Sequence, residues 1–284
     1  MSVHFAGSST RRRTAEDEGV SATMATWSEC PASGFVVRAT SALRKAGKSK
    51  QESKSAFYDV VGVDLLKSET EKLINVAERV KLMPPRECDD LEAIKKSGLP
   101  RLFIVNYYVP MKDPPFFGSH PKDDHGVHVV LYFAVKPDTV QEALKPDCGG
   151  NAALKLLKRY AETWDTDPDA ARRFKSIQFA ENIAEMGTAV KMASRYNGKP
   201  LIVYKTGNRH RGANGDYFEI GVVMERWKLF GRKLIKAYIN KSGNVVLRFG
   251  FTIQGEKPDE LPEQILGCCV VHNPDLYKFA TVLQ

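Results

Sequence analysis

Several groups of residues in this chain have the side-chain types that chemistry needs. His120, Asp123, Asp124, His125 and then His128 lie close together and are all of metal-ligand type. A metal centre requires three or four ligands converging on one point, each oriented by a further hydrogen bond. This spacing matches no ligand pattern, and His and Asp in a Pro-rich loop are commonly solvated, so no metal is expected. Glu260 and Glu263 flank Leu261-Pro262 and could serve as paired carboxylates for acid–base work. Acids beside a proline in a loop more often end or cap an element, and that reading is preferred. The stretch Asn208, Arg209, His210, Arg211, bounded by Gly207 and Gly212, could bind phosphate through guanidinium groups and backbone amides. Its plain alternative is a connecting loop.

Five cysteines, Cys30, Cys88, Cys148, Cys268 and Cys269, form no CxxC or CxxH pattern and are odd in number. Neither a zinc ribbon nor a disulfide framework is indicated, and a reducing compartment fits. Adjacent Cys268 and Cys269 on a strand would face opposite ways and are read as small buried hydrophobes rather than redox groups. No GxSxG, HExxH, P-loop or GxGxxG arrangement occurs, so no catalytic residue and no cofactor is assigned.

The strongest physical pattern lies between 217 and 253. At about 100° per residue, Trp227, Phe230, Leu234, Ile235 and Tyr238 share one side of a helix. Arg226, Lys228, Arg232, Lys233 and Lys236 share the other. Two readings stay open: a solvated basic face over an apolar face in the core, or a surface that meets phospholipid headgroups or another polyanion. The formal charge of +8 favours anionic partners without naming one. No aromatic stacking platform with nucleic-acid signatures accompanies it, so no specific nucleic acid is expected.

These groups need elements to hold them. Composition is that of an ordinary globular chain, 43% hydrophobic and 27% charged. No signal-peptide core and no run of ~20 apolar residues occurs, so a cytoplasmic protein, peripheral on membranes at most, is expected. Residues 1–26 are polar and read as a disordered tail, its Arg11, Arg12 and Arg13 faintly resembling a targeting segment. Residues 27–284 read as one domain. Alternation predicts strands over 34–40, 57–66, 102–109, 127–135, 200–204, 217–223 and 245–253. Gly62 is a candidate bulge or close-approach point, and a mid-strand Asn106 needs a partner if buried. Helical spacing predicts 68–80, opened by Ser68 and Glu71 as a capping box, then 152–164 and 184–196, the last ending at Asn197-Gly198.

Seven segments in one order complete the picture: Trp27 with FVVR, YDVVGVDLLKS, GLPRLFIVNYYVP, VHVVLYF, YNGKP, DYFEI and ELPEQILGC. Together they resemble the C-terminal domain of the plant Enhanced Disease Resistance 2 family, here as a stand-alone domain. In multidomain members that domain follows a pleckstrin-homology domain and a lipid-transfer START domain. Those members look like membrane-associated regulators that restrain defence and cell death. The resemblance implies no catalytic residue. The expected fold is α+β, a largely antiparallel curved sheet of six to eight strands with packed helices, helix-grip-like where it encloses an apolar pocket. The expected function is a non-catalytic lipid-associated regulatory module, or else a protein-interaction scaffold without a ligand. The residues expected to meet lipid or anion are Arg226, Lys228, Arg232, Lys233, Lys236, Arg209 and Arg211.

Overall fold

The computed structural model describes residues 3–17, 24–113, 115, 121–164, 166–185, 194–205 and 207–283. Its strands are β1 (Arg11–Arg12), β2 (Thr26–Ser28), β3 (Val36–Arg38), β4 (Lys50–Glu52), β5 (Tyr58–Lys67), β6 (Leu102–Val109), β7 (Val127–Val135), β8 (Phe174–Ala180), β9 (Leu201–Ile202), β10 (Gly207–Arg211), β11 (Tyr217–Val223), β12 (Val246–Ile253), β13 (Ile265–His272) and β14 (Thr281–Val282). They form two open sheets, in place of the one expected. The first runs β1-β2-β13-β12-β8-β9 and the second β10-β11-β6-β7-β5-β14, with β3-β4 a separate hairpin. Most neighbours are antiparallel, and β11 runs parallel to β6. The helices are α1 (Ser41–Lys45), α2 (Leu91–Ser97), α3 (Pro137–Leu144), α4 (Ala152–Thr163), α5 (Pro168–Ala171) and α6 (Leu229–Ile239). The fold class is α+β, as the patterns predict.

Period-2 side chains explain how the sheets meet. Phe103, Val105 and Tyr107 of β6, Leu131 and Phe133 of β7, and Phe218 and Ile220 of β11 point to one face and join Phe249, Phe251 and Ile253 of β12 in one core. Phe251 lies 5.6 Å from Phe103 and 5.8 Å from Phe133, ring centre to ring centre. The second sheet therefore packs on the first through aromatic rings. These rings occupy the space between the sheets where the sequence admits an apolar pocket. Leu102, Ile104, Val130 and Tyr132 point the other way, into an outer apolar layer with Leu73, Val76 and Val80. This double burial is why β6 and β7 read as apolar on both faces.

Two predicted elements take another form. The segment 68–80 is irregular, apart from a 3-10 turn over Val76–Glu78. One half of the capping box forms, Ser68 Oγ accepting from the amides of Thr70 and Glu71 at 3.3 and 3.4 Å, while the Glu71 carboxylate pairs with Arg79. Propagation stops because the later amides bond to side chains of the sheet beneath, described below. The predicted helix over 184–196 falls largely on residues outside those described, although Gly198 has the left-handed φ of 71° expected of it. Conversely β8 escapes the alternation pattern because its buried Ser176 and Lys175 are polar. Tertiary partners satisfy both, Tyr107 Oη at 2.6 Å and Glu263 Oε1 at 2.8 Å.

Part of the segment that composition assigns to a tail outside the fold is seated on it: residues 7–10 lie against β5, and β1 pairs with β2. Asp64, fully buried, accepts from the amides of Gly7 and Ser9 at 2.7 and 2.8 Å. Gly62 makes this contact possible: the ladder slips between Val60 and Gly62, and a Cβ at 62 would stand 2.9 Å from Gly7 Cα and 2.5 Å from Met83 Cε. Backbone cannot give way as a flexible side chain does. Gly62→Ala is therefore expected to cost about 1–3 kcal/mol by overpacking, read as a lower urea midpoint at unchanged slope. An unchanged midpoint would show that the 3–12 segment is not seated there.

Candidate functional site

The most polar buried constellation lies on the outer face of the second sheet. Glu219 alternates with Phe218 and Ile220, so it turns away from the aromatic core, and pairing brings Gly221 beside Asn106 and Tyr108 beside His128. Glu219, Asn106 and His128 are all buried. The Asn106 amide donates to Glu219 Oε1 at 3.0 Å and to the Leu73 carbonyl at 2.8 Å. Glu219 also accepts from the amides of Val76 and Ala77 at 3.0 and 2.9 Å. The amide of Leu73 donates to His128 Nε2 at 3.2 Å, so the ring proton belongs on Nδ1, which donates to Asn106 Oδ1 at 2.8 Å. Burial, with Lys72 nearby, pushes the His128 pKa down to about 3. Burial raises that of Glu219 against the pull of its three donors. The donors and acceptors of this circuit are spent on one another and on the 73–77 backbone.

Above the circuit a cleft opens between Lys72, Tyr108, Asn208, Glu225 and Arg226, with a cavity volume of about 40 Å³. That is far below the ~300 Å³ at which small-molecule pockets begin, so the recess does not accommodate a lipid or a cofactor. Lys72 spans its mouth, 2.5 Å from Glu225 and 4.9 Å from the centre of the Tyr108 ring. The chemistry of the constellation is structural: it clamps an irregular segment onto the sheet. A partner for Asn106 is a sequence expectation the structure meets. Glu219 was missed, and a lone acid inside the apolar DYFEIGVV run was the signal for it.

The cations expected to meet lipid or anion do not form one face. Arg226 belongs to a 3-10 turn over Met224–Arg226 before α6, and its Nη1 donates to Asn208 Oδ1 at 3.3 Å. Lys228 is the N-cap residue, exposed and without a side-chain capping bond, and Lys233 is exposed on the helix. Arg232 is half-buried, its Nε enclosed without a hydrogen-bond partner. Lys236 departs from the expectation. Its Nζ donates to the Met111 carbonyl at 2.6 Å and to Tyr277 Oη at 3.3 Å, and pairs with Asp113 at 3.4 Å, leaving the side chain 22% exposed. Facing the core, Trp227 and Ile235 pack as predicted; the Phe230 and Leu234 side chains lie outside the described set.

Arg209 and Arg211 sit on β10, a strand paired antiparallel with β11 rather than a loop. Ladder pairing spends the amides directed at β11, which a phosphate nest would need. The Arg209 guanidinium lies 5.7 Å from the Tyr204 ring centre with Nη2 buried and unpartnered. Arg211 lies 5.9 Å from the Trp164 ring and donates to the Glu162 carbonyl at 3.4 Å. Both face the side of β10 opposite Asn208.

Glu260 and Glu263 are buried ends of ion pairs. Glu260 meets Arg159 and, at 3.0 Å, Arg173. Burial would raise its pKa, yet the amides of Glu256 and Lys257 and the two guanidiniums hold it at about 2. Glu263 pairs with Lys175. Asp124 is likewise structural, accepting from the amides of Met111, Lys112 and Gly126. Among the described residues no group of three His, Cys, Asp or Glu side chains is placed to hold a metal; His120 lies outside them.

The circuit has a pH signature. With its folded pKa near 3 against an ordinary 6.5, His128 takes up a proton only on unfolding. Its stabilisation is complete above pH 6.5 and is lost as pH falls toward 3. Glu219 acts with opposite sign and cancels when two proteins sharing it are compared. Between pH 6.5 and 5 wild type is expected to lose about 1–2 kcal/mol more than His128→Gln, measured by urea denaturation. Parallel profiles would show His128 to be protonated in the fold.

Comparison with curated proteins and with solved structures yields no match. The family model described as "Protein ENHANCED DISEASE RESISTANCE 2, C-terminal" matches residues 27–275. The match runs from β2 to just past β13 and takes in both sheets apart from the edge strands β1 and β14, together with the Glu219 circuit and α6. The chain therefore belongs to the Enhanced Disease Resistance 2 C-terminal family.

Proposed function

We propose that this domain is a non-catalytic module that docks on an anionic lipid surface through the start of α6. The observation that carries the reading is the charge at that helix end. A helix N-terminus bears roughly half a positive charge, and each cation placed there costs about 0.3–1 kcal/mol unless an anion offsets it. Here Lys228 occupies the N-cap, the first turn holds no acid, and exposed Arg226 and Lys233 flank it. Headgroup phosphates are the anions such an end attracts. Lys236 is left out of the surface because it is bonded inward. Among the described residues no helix is long and apolar enough to cross a membrane, so contact is peripheral.

A second reading, a protein-interaction scaffold, has its own support at the far edge of the first sheet. Leu201 and Ile202 of the edge strand β9 are 37% and 47% exposed, with Tyr196 nearby in sequence and also exposed. Such an edge accepts a further strand.

Vesicle sedimentation separates these readings. The wild-type protein is expected to sediment with vesicles containing acidic phospholipid, about tenfold more than with neutral ones, with loss at high salt. Arg226→Glu with Lys228→Glu and Lys233→Glu is expected to abolish this at unchanged melting temperature. Equal sedimentation with both vesicle types would remove the lipid reading and leave the scaffold.

A further inference from the structure

Cys30 and Cys268 are far apart in sequence and side by side in the fold. β2 pairs antiparallel with β13 through Thr26↔His272, Trp27↔Val271 and Ser28↔Val270. Continuing that register by two residues sets Cys30 opposite Cys268. Opposed residues of an antiparallel ladder have Cα atoms about 4.5–5.5 Å apart, inside the ~4.4–6.8 Å window that a disulfide spans. The side chains agree with the backbone: Cys268 Sγ donates to the Cys30 carbonyl oxygen at 3.2 Å. Both pack in one apolar cluster with Phe35 and Ile177.

The two sulfurs are unequal in the way a reactive and a resolving thiol are. Cys268 is buried, whereas Cys30 is half-exposed. The Cys268 side chain lowers the Cys30 pKa against the opposing effect of burial; the charge of Arg248 adds to this, and that of Glu181, paired with Arg248, opposes it. Arg248 is itself held over the rings of Phe179 and Phe35, 4.3 and 5.0 Å away. A thiolate so stabilised, within reach of solvent and next to a second thiol, is the arrangement that peroxide oxidation selects. Cys269, on the opposite face of β13, is buried in the other core.

We propose that Cys30 and Cys268 form a reversible oxidative modification site, whose co-substrate is a hydroperoxide. The Cys30 thiolate attacks one peroxide oxygen, the O–O bond breaks, and the leaving oxygen takes a proton; Cys30 becomes a sulfenic acid. The Cys268 sulfur then attacks the Cys30 sulfur, the S–O bond breaks, and hydroxide leaves as water with the Cys268 proton. With hydrogen peroxide, two thiols and one peroxide give one disulfide and two waters. A dithiol reductant returns both thiols. The bond fastens β2 to β13.

Peptide mapping of the whole chain without reduction tests this, with exposed Cys88 as the internal comparison. After stoichiometric hydrogen peroxide, a Cys30–Cys268 cross-linked peptide two hydrogens lighter is expected, and dithiothreitol should release it. In Cys268→Ser, Cys30 is expected to stay at the sulfenic level and to be trapped by dimedone. Oxidation of Cys88 with Cys30 still reduced, or Cys30 passing to sulfinic acid without a cross-link in wild type, would overturn the proposal. The wild-type map decides even if Cys268→Ser does not fold.

Discussion

A single buried carboxylate settles how the outer layer of this domain is built. Glu219 carries a carboxyl group into an apolar layer, and leaving its oxygens without partners there would be expensive. The amides of Val76 and Ala77 and the side chain of Asn106 supply the compensation. The segment that supplies them must then keep its amides free of helical partners. Its irregular course follows from the acid beneath it, and the acid keeps its hydrogen-bond donors because of that course. His128 extends the same logic, accepting from the Leu73 amide only while neutral.

The inner layer obeys a different constraint. Aromatic rings from both sheets fill the space between them, Phe103 touching Phe133, Phe174, Phe218 and Phe251. Rings packed edge to face or offset contribute beyond their buried area, and they bring the two sheets together as one core. Two recesses among the described residues have cavity volumes of only about 40 and 70 Å³.

The surface carries cations of very different standing. Lys236 and Arg232 lie in α6 at positions where helical geometry predicts a wet basic face. The loop bearing Met111 and Asp113, together with Tyr277, folds over and engages Lys236. Lys228 and Lys233 stay exposed. Helical periodicity states which side of its own helix a residue occupies and nothing about what packs there. The same distinction separates Arg209, stacked on Tyr204, from a phosphate-binding loop.

By itself the sequence determined the strands over 102–109, 127–135 and 217–223, the helix beginning at Ala152, the tight place at Gly62 and the family, because alternation, capping and steric demand are local and are written within a few residues. It also raised the question of Asn106, since a buried amide in a strand must be answered. The answer came from Leu73, Glu219 and His128, which no spacing rule connects. Only the tertiary structure decided that the strands divide into two sheets, that 68–80 unwinds over Glu219, that Lys236 turns inward and that Cys30 meets Cys268. Each of these depends on which faces are brought together, and burial of a polar group takes its sign from partners distant in the chain.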